Sequence, residues 1–121
     1  MDQRAGRKYR VTKRSDLRRI FAEGRKARNA ALTLLALPNG LPHARCAVAV
    51  SRRHGTAVAR NRIKRLCREA LRLGRSDLPA GWDYLILPRA GSRLTLAEIR
   101  SSLTNLAGRL TGRAAEGGAP R

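Results

Sequence analysis

The sequence predicts an α/β layer domain in which helices pack on one β-sheet. Three observations carry this. Apolar residues recur at helical spacing in three separate stretches; two apolar runs flank a Pro-Asn-Gly-Leu-Pro loop; and a further apolar run, "GWDYLILPR", separates the last two helical stretches. The resulting order of helix, strands, helix, strand and helix is that of a sheet covered by helices. At 121 residues the chain fits one small domain.

Each element has its own signals. Residues 1–12 are basic and poor in apolar side chains, and are expected to form an arm that is mobile until bound. In the first helix Ser15 fits an N-cap, Asp16 the first turn and Gly24 the stop, while Leu17, Ile20 and Phe21 share one face. "ALTLLALPNG" predicts a strand from Leu32 to Leu37 ended by Pro38, and "ARCAVAVS" one from Ala44 to Ser51, the two joined as a hairpin. A further strand around Lys26 to Asn29 is poorly marked. "AVARNRIKRLCREALR", Ala57 to Arg72, predicts the second helix, and "GWDYLILPR" the last strand, closed by Pro88. In the last helix Thr95 and Glu98 form a capping box, ahead of Leu96, Ile99, Leu103, Leu106 and Leu110 at helical spacing. The domain is thus expected over 13–110, followed by a disordered Gly/Ala-rich tail over 111–121.

Charge narrows the function. Lys and Arg number 27 against 8 Asp and Glu, a formal net charge of +19. Such a domain repels itself, and a polyanion relieves the repulsion. Nucleic acid is the first candidate and an anionic membrane the second. The membrane fits poorly, because no apolar run of about 18 residues is present. Most of the charge is Arg, whose planar fork matches phosphate and stacks on bases. Cys46 and Cys67 lie far apart in apolar settings, outside any CxxC or Cys/His cluster, and read as reduced packing residues of a cytoplasmic protein.

The second helix shows where that charge is concentrated. At about 100° per residue, Ala59, Ile63, Leu66, Cys67 and Ala70 fall in one arc. Asn61, Lys64, Arg65, Arg68 and Arg72 fall opposite, with Arg60 and Arg62 on the flanks and Glu69 alone breaking the basic face. A face built only for solubility mixes signs. Here Arg60/Lys64, Lys64/Arg68 and Arg68/Arg72 are like-charged i, i+4 pairs, each costing a few tenths of a kcal/mol in water, roughly the size of a favourable pair. An anionic partner turns that cost into attraction. Ahead of the helix, "SRRHGT" has two readings: an ordinary strand-to-helix turn, or a turn whose backbone N–H groups hold a phosphate.

"RHGTAVARNRIKRLCR", Arg53 to Arg68, resembles the signature of the bacterial ribonuclease P protein-subunit family, K-x-G-x-A-V-x-R-N-x-x-K-R-x-x-R. Gly55, Ala57, Val58, Arg60, Asn61, Lys64, Arg65 and Arg68 match, and Arg53 replaces the Lys. "TKRSDLRRIFAEGR", "LPNG", "AVAVSRR", "LPAGWDYLILPRAG" and "LTLAEIRSSLTNL" are similar to other family segments, so that the resemblance runs from about Lys8 to Leu110. It implies an α/β (α+β) two-layer sandwich: a mixed sheet of about four strands with three helices in the order α-β-β-β-α-β-α, and a left-handed βαβ crossover. It also implies a partner, the catalytic RNA that removes the 5′ leader of precursor tRNA with Mg²⁺. Arg52, Arg53, Arg60, Asn61, Arg62, Lys64, Arg65 and Arg68 would contact that RNA. A cleft at Lys13, Leu17, Phe21 and Leu35 would receive the leader. The family often has aromatics at the positions of Leu17 and Leu35, so stacking here would fall to Phe21; on spacing alone Phe21 equally fits a core aromatic.

Nothing in the sequence suggests catalysis by the chain itself. The eight acidic residues are scattered, without a paired set. His43 sits in a loop, and His54, in the turn before the basic helix, fits a structural or phosphate-contacting role. Mg²⁺ is therefore expected to act in the ribonucleoprotein without being held by protein ligands alone, and no obligate protein partner is expected. Two other classes stand beside this one: a general RNA-binding or ribosome-associated protein on a similar fold, and an autonomous nuclease, which the missing carboxylates oppose.

Overall fold

The computed structural model describes residues 8–91 and 93–112. The elements are α1 (Arg14–Glu23), β1 (Arg25–Arg28), β2 (Leu32–Pro38), β3 (Arg45–Val48), a 3₁₀ turn (Arg52–His54), α2 (Ala57–Leu73), a second 3₁₀ turn (Arg75–Asp77), β4 (Trp82–Pro88) and α3 (Leu96–Thr111). This is the expected α+β order, with the poorly marked strand present as β1. The sheet order is β1-β2-β4-β3. β1 pairs antiparallel with β2 and β2 with β4, whereas β3 runs parallel to β4, so α2 is the crossover of a βαβ unit.

Strand alternation divides the core in two. Leu34, Ala36, Tyr84 and Ile86 point to one face, where Cys67 and Ala70 of α2 and Ile99, Leu103, Leu106 and Leu110 of α3 cover them. Leu35 and Leu85 point to the other, beneath Ile20 of α1. α2 and α3 thus form the helical layer of the sandwich, and α1 lies across the opposite face. Single residues tie the layers together. Arg25 Nη1 donates to the Leu110 carbonyl at 2.8 Å, capping α3, and Asn29 Nδ2 donates to Oγ of the buried Ser102 at 3.0 Å. The Thr95/Glu98 capping box forms as expected. No described helix is long and apolar enough to cross a membrane.

Several local expectations are corrected. The N-cap of α1 is Lys13, not Ser15, and it makes no side-chain cap bond. The chain reaches Lys13 already docked: the Val11 N–H donates to the Cys46 carbonyl at 2.9 Å, and the Cys46 N–H to the Tyr9 carbonyl at 2.8 Å. Residues 9–11 are accordingly a short extension along the β3 edge, with Val11 buried, rather than part of a mobile arm. The rest of the expected arm, 1–7, lies outside the described residues. β3 stops at Val48 rather than Ser51; the Ala49 N–H still donates to the Ile86 carbonyl at 3.0 Å, and Ser51 instead caps the following turn. α3 runs through Thr111 to a left-handed Gly112, so 111–112 belong to the helix end and not to the expected tail, and 113–121 lie outside the described residues. Gly24 ends α1 for a steric reason: a Cβ there would stand 2.5 Å from the Ile20 carbonyl oxygen and 3.3 Å from that of Ala36.

Candidate nucleic-acid interface

α2 is two-faced, as its periodicity predicts. The Thr56 hydroxyl caps it by accepting from the Ala59 N–H at 3.2 Å, and Gly74 ends it. Cys67 and Ala70 are buried, and Ile63 and Leu66 pack at the rim of the core. Burial pushes the Cys67 thiol up to about 12, against the opposing charge of Arg68. On the other side Asn61, Arg62, Arg65 and Arg68 are exposed, with Arg60 and Lys64 half-buried at the margins. Arg72 is committed elsewhere: its Nε and Nη2 reach Glu69 Oε1 and Oε2 at 3.1 and 2.5 Å, which lowers the carboxyl's pKa. Among the described residues, Arg60, Arg62, Lys64, Arg65 and Arg68 make no ion pair within 4.0 Å. One helix thus carries five cations with no internal counter-charge. Val58, 79% exposed, stands beside them at the start of α2.

The "SRRHGT" segment is a structured turn. The Ser51 side chain accepts from the Arg53 N–H at 3.3 Å, and His54 Nδ1 accepts from the Ser51 N–H at 3.0 Å. His54 Nε2 lies 2.7 Å from the Pro88 carbonyl oxygen at the end of β4. Gly55 has φ 108°, and a Cβ there would press on that of Ala59 at 3.3 Å, so the turn requires glycine. The result leaves Arg52 and Arg53 exposed in the turn that precedes α2.

A second surface lies across the sheet. α1 lies on this face, with Asp16 approaching Arg45 at 3.5 Å near the start of β4. Asp16 and Phe21 are about 140° apart around the helix, so Phe21 stands on the flank away from Arg45. Phe21 is 57% exposed, which removes it from the core, while Leu17 is half-buried and Lys13 exposed. Leu35 is 2% exposed beneath Ile20. It is the floor of the α1 packing, and its expected place as a contact of the cleft is corrected to a supporting one. Beyond α1 the sheet face opens into a cleft of about 480 Å³ lined by Arg28, Thr33, Ser51, Arg53, His54 and Arg89. Arg28, Arg89 and Thr33 were not singled out from the sequence. Only the strand order brings them together: Arg28 is opposite Thr33 across β1 and β2, Thr33 opposite Leu87 across β2 and β4, and Arg89 follows Pro88.

The Ribonuclease P family model matches residues 6–111, nearly the whole chain. This chain belongs to the ribonuclease P protein family. The Ribonuclease P protein component of Thermotoga maritima is 33% identical over 111 residues, covering 88% of this chain and 95% of the relative. That of Brevibacillus brevis is 37% identical over 102 residues, covering 83% and 81%. The solved structure of the Thermotoga maritima RNase P protein superposes with a TM-score of 0.75 at 32% identity, covering 83% of this chain and 96% of that one. A Staphylococcus aureus RNase P protein structure gives 0.70 at 29% identity, covering 88% and 94%. The match takes in both surfaces, the α2 face and the α1 cleft, and ends with α3.

The ribonuclease P family acts in tRNA 5′-end processing. Four of the described carboxylates are already engaged within the protein, which leaves them poorly suited to a divalent ion. Asp16 and Asp83 are both engaged by Arg45, Glu69 by Arg72, and Glu98 by its own helix start. Among the described residues, no three His, Cys, Asp or Glu side chains come together.

Proposed function

We propose that this chain is the protein component of a bacterial ribonuclease P, which binds the catalytic RNA and the 5′ leader of precursor tRNA. The observation that carries the reading is the row of unpaired cations on α2, set opposite an apolar face locked to the core. Arg60, Asn61, Arg62, Lys64, Arg65 and Arg68, with Arg52 and Arg53 from the turn, would meet RNA phosphates. Each replaces condensed counterions and so favours association at low salt. The leader would follow the open half of the sheet, with Phe21 and Lys13 at one side and Arg28, Arg53 and Arg89 at the other. Stacking on Phe21 would contribute about 1–3 kcal/mol for one base.

In this reading hydrolysis and its Mg²⁺ belong to the RNA. The protein screens phosphate repulsion and positions substrate through residues that transfer no proton. The complex is placed in the cytoplasm, without membrane contact or an obligate protein partner. The test is cleavage of precursor tRNA by a bacterial ribonuclease P RNA at low Mg²⁺, with and without the protein, alongside affinities for precursor and mature tRNA. Stimulation together with a preference for the precursor is expected. Binding without preference would mark a general RNA-binding protein, and cleavage by protein alone a nuclease.

A further inference from the structure

His54 links two parts of the molecule that the chain sequence separates. Its Nδ1 accepts the Ser51 N–H at 3.0 Å, within the turn that carries Arg52 and Arg53, and its Nε2 is 2.7 Å from the Pro88 carbonyl oxygen. A neutral imidazole has one acceptor and one donor nitrogen. Since the Ser51 N–H is a donor, Nδ1 holds the lone pair. Nε2 therefore carries the proton and donates to Pro88. Nδ1 also lies 3.3 Å from the Ser51 carbonyl oxygen, but in this tautomer it has no hydrogen to offer it.

The two bonds fix the turn against the end of β4. Pro88 is followed by Arg89, and Arg53 and Arg89 both line the cleft, as does Arg28 on β1, two strands away across β2. Without the His54 bridge, no other side-chain hydrogen bond among the described residues joins Arg52–His54 to β4. The geometry points to His54 as a positioning residue, whose Nε2-protonated imidazole holds the turn on β4 and aims Arg53 into the cleft for single-stranded RNA. This rests on the RNA-binding reading above and adds the device that orders one of its contacts.

Gln has the same pattern of one acceptor and one donor, and it is accepted at this position of a capping box. The experiment therefore compares wild type, His54→Ala, His54→Gln, Arg53→Ala and the Arg53→Ala/His54→Ala double variant. It measures affinity of the full chain, bound to a bacterial ribonuclease P RNA, for precursor tRNA, with circular dichroism melting in parallel. His54→Ala is expected to weaken precursor binding about five- to tenfold, the scale of one or two lost hydrogen bonds. His54→Gln is expected to restore it, and the double variant to be no weaker than Arg53→Ala. Long-range ¹⁵N–¹H spectra should show the His54 proton on Nε2.

Wild-type affinity in His54→Ala would overturn the inference. So would a Gln variant that is unfolded or as weak as Ala, additive losses in the double variant, or a proton on Nδ1. A folded Arg53→Ala variant with undiminished affinity would instead remove Arg53 from the RNA-binding reading itself.

Discussion

Arg45 grips Asp83 by both edges, Nε to Oδ1 at 2.8 Å and Nη2 to Oδ2 at 2.6 Å, across the parallel register of β3 and β4. Asp83 is only 5% exposed, and Asn39 from the β2–β3 loop donates to its Oδ1 at 2.9 Å. The carboxylate therefore serves two elements at once, and Asp16 brings α1 to the same guanidinium. The Asp83 hydrogen bond is the main reason that the Arg45 pKa is raised.

Asp83→Ala leaves both Arg45 and the Asn39 amide without their partner. A fall in unfolding free energy of about 2–3 kcal/mol is expected, somewhat below the range for a fully buried pair because Arg45 keeps contact with water. Urea denaturation measures it. Asp16→Ala, which removes only the longer contact, should cost under about 1 kcal/mol. Equal losses in the two variants would contradict the assignment.

Elements with a local cause were legible in the sequence. The 3.6-residue period fixed both faces of α2, and the Thr95/Glu98 pair fixed the start of α3 to the residue. Where a distant partner decides, the sequence was silent. Ser15 is a better cap residue than Lys13, yet α1 begins at Arg14 with Lys13 as its cap, right after residues 9–11 docked on β3. β1 is short and mostly basic, and exists because β2 offers it a hydrogen-bonded edge. At the candidate site the same division holds. The α2 cations lie within one helix and could be read off it, but the cleft arginines Arg28 and Arg89 come together only through strand order. Leu35 belongs to the α1 side of the sheet as expected, but the depth of Ile20 above it was invisible to a one-dimensional pattern.

Arg65→Ala and Arg68→Ala should each lower the salt slope of RNA binding by about one unit, the signature of one lost phosphate contact. Both side chains point away from the core, so stability should change by less than about 0.5 kcal/mol. Removing Arg68 also relieves its i, i+4 repulsion with Lys64, which favours the sign of a small gain. Binding isotherms at several salt concentrations, paired with thermal melts, decide it. A melted variant with an unchanged slope would reverse the assignment of the two faces.

Ile20 and Phe21 are neighbours in sequence with opposite fates. Ile20 is fully buried on the sheet and Phe21 stands in the open. Ile20→Ala should cost about 2–5 kcal/mol of stability. Phe21→Ala should leave stability nearly intact and weaken binding to a precursor with a single-stranded leader by about 1–3 kcal/mol, with no change for mature tRNA. Equal losses on both RNAs would move Phe21 out of the leader path.

The Cys67 thiol gives the fold a dependence on alkaline pH. Its pKa rises from 9.0 to about 12, chiefly because burial disfavours the thiolate. Below pH 9 the thiol is protonated in both the folded and unfolded chain, and its contribution is fully present. Between 9 and 12 the unfolded chain releases a proton that the folded chain keeps, so stability is lost as pH rises, approaching about 1.4 kcal/mol per pH unit. Cys67→Ala removes this dependence along with the packing of the sulfur. At pH 8 the variant should therefore be less stable than wild type by about 1–2 kcal/mol, and the gap should narrow steadily above pH 9. Comparing the two proteins by urea denaturation from pH 8 to pH 11 isolates the thiol from the other groups that titrate in this range. Parallel curves would mean that the thiolate is accommodated in the folded protein. Alkylation of native wild type by iodoacetamide at pH 8 should correspondingly leave Cys67 unmodified until the chain unfolds.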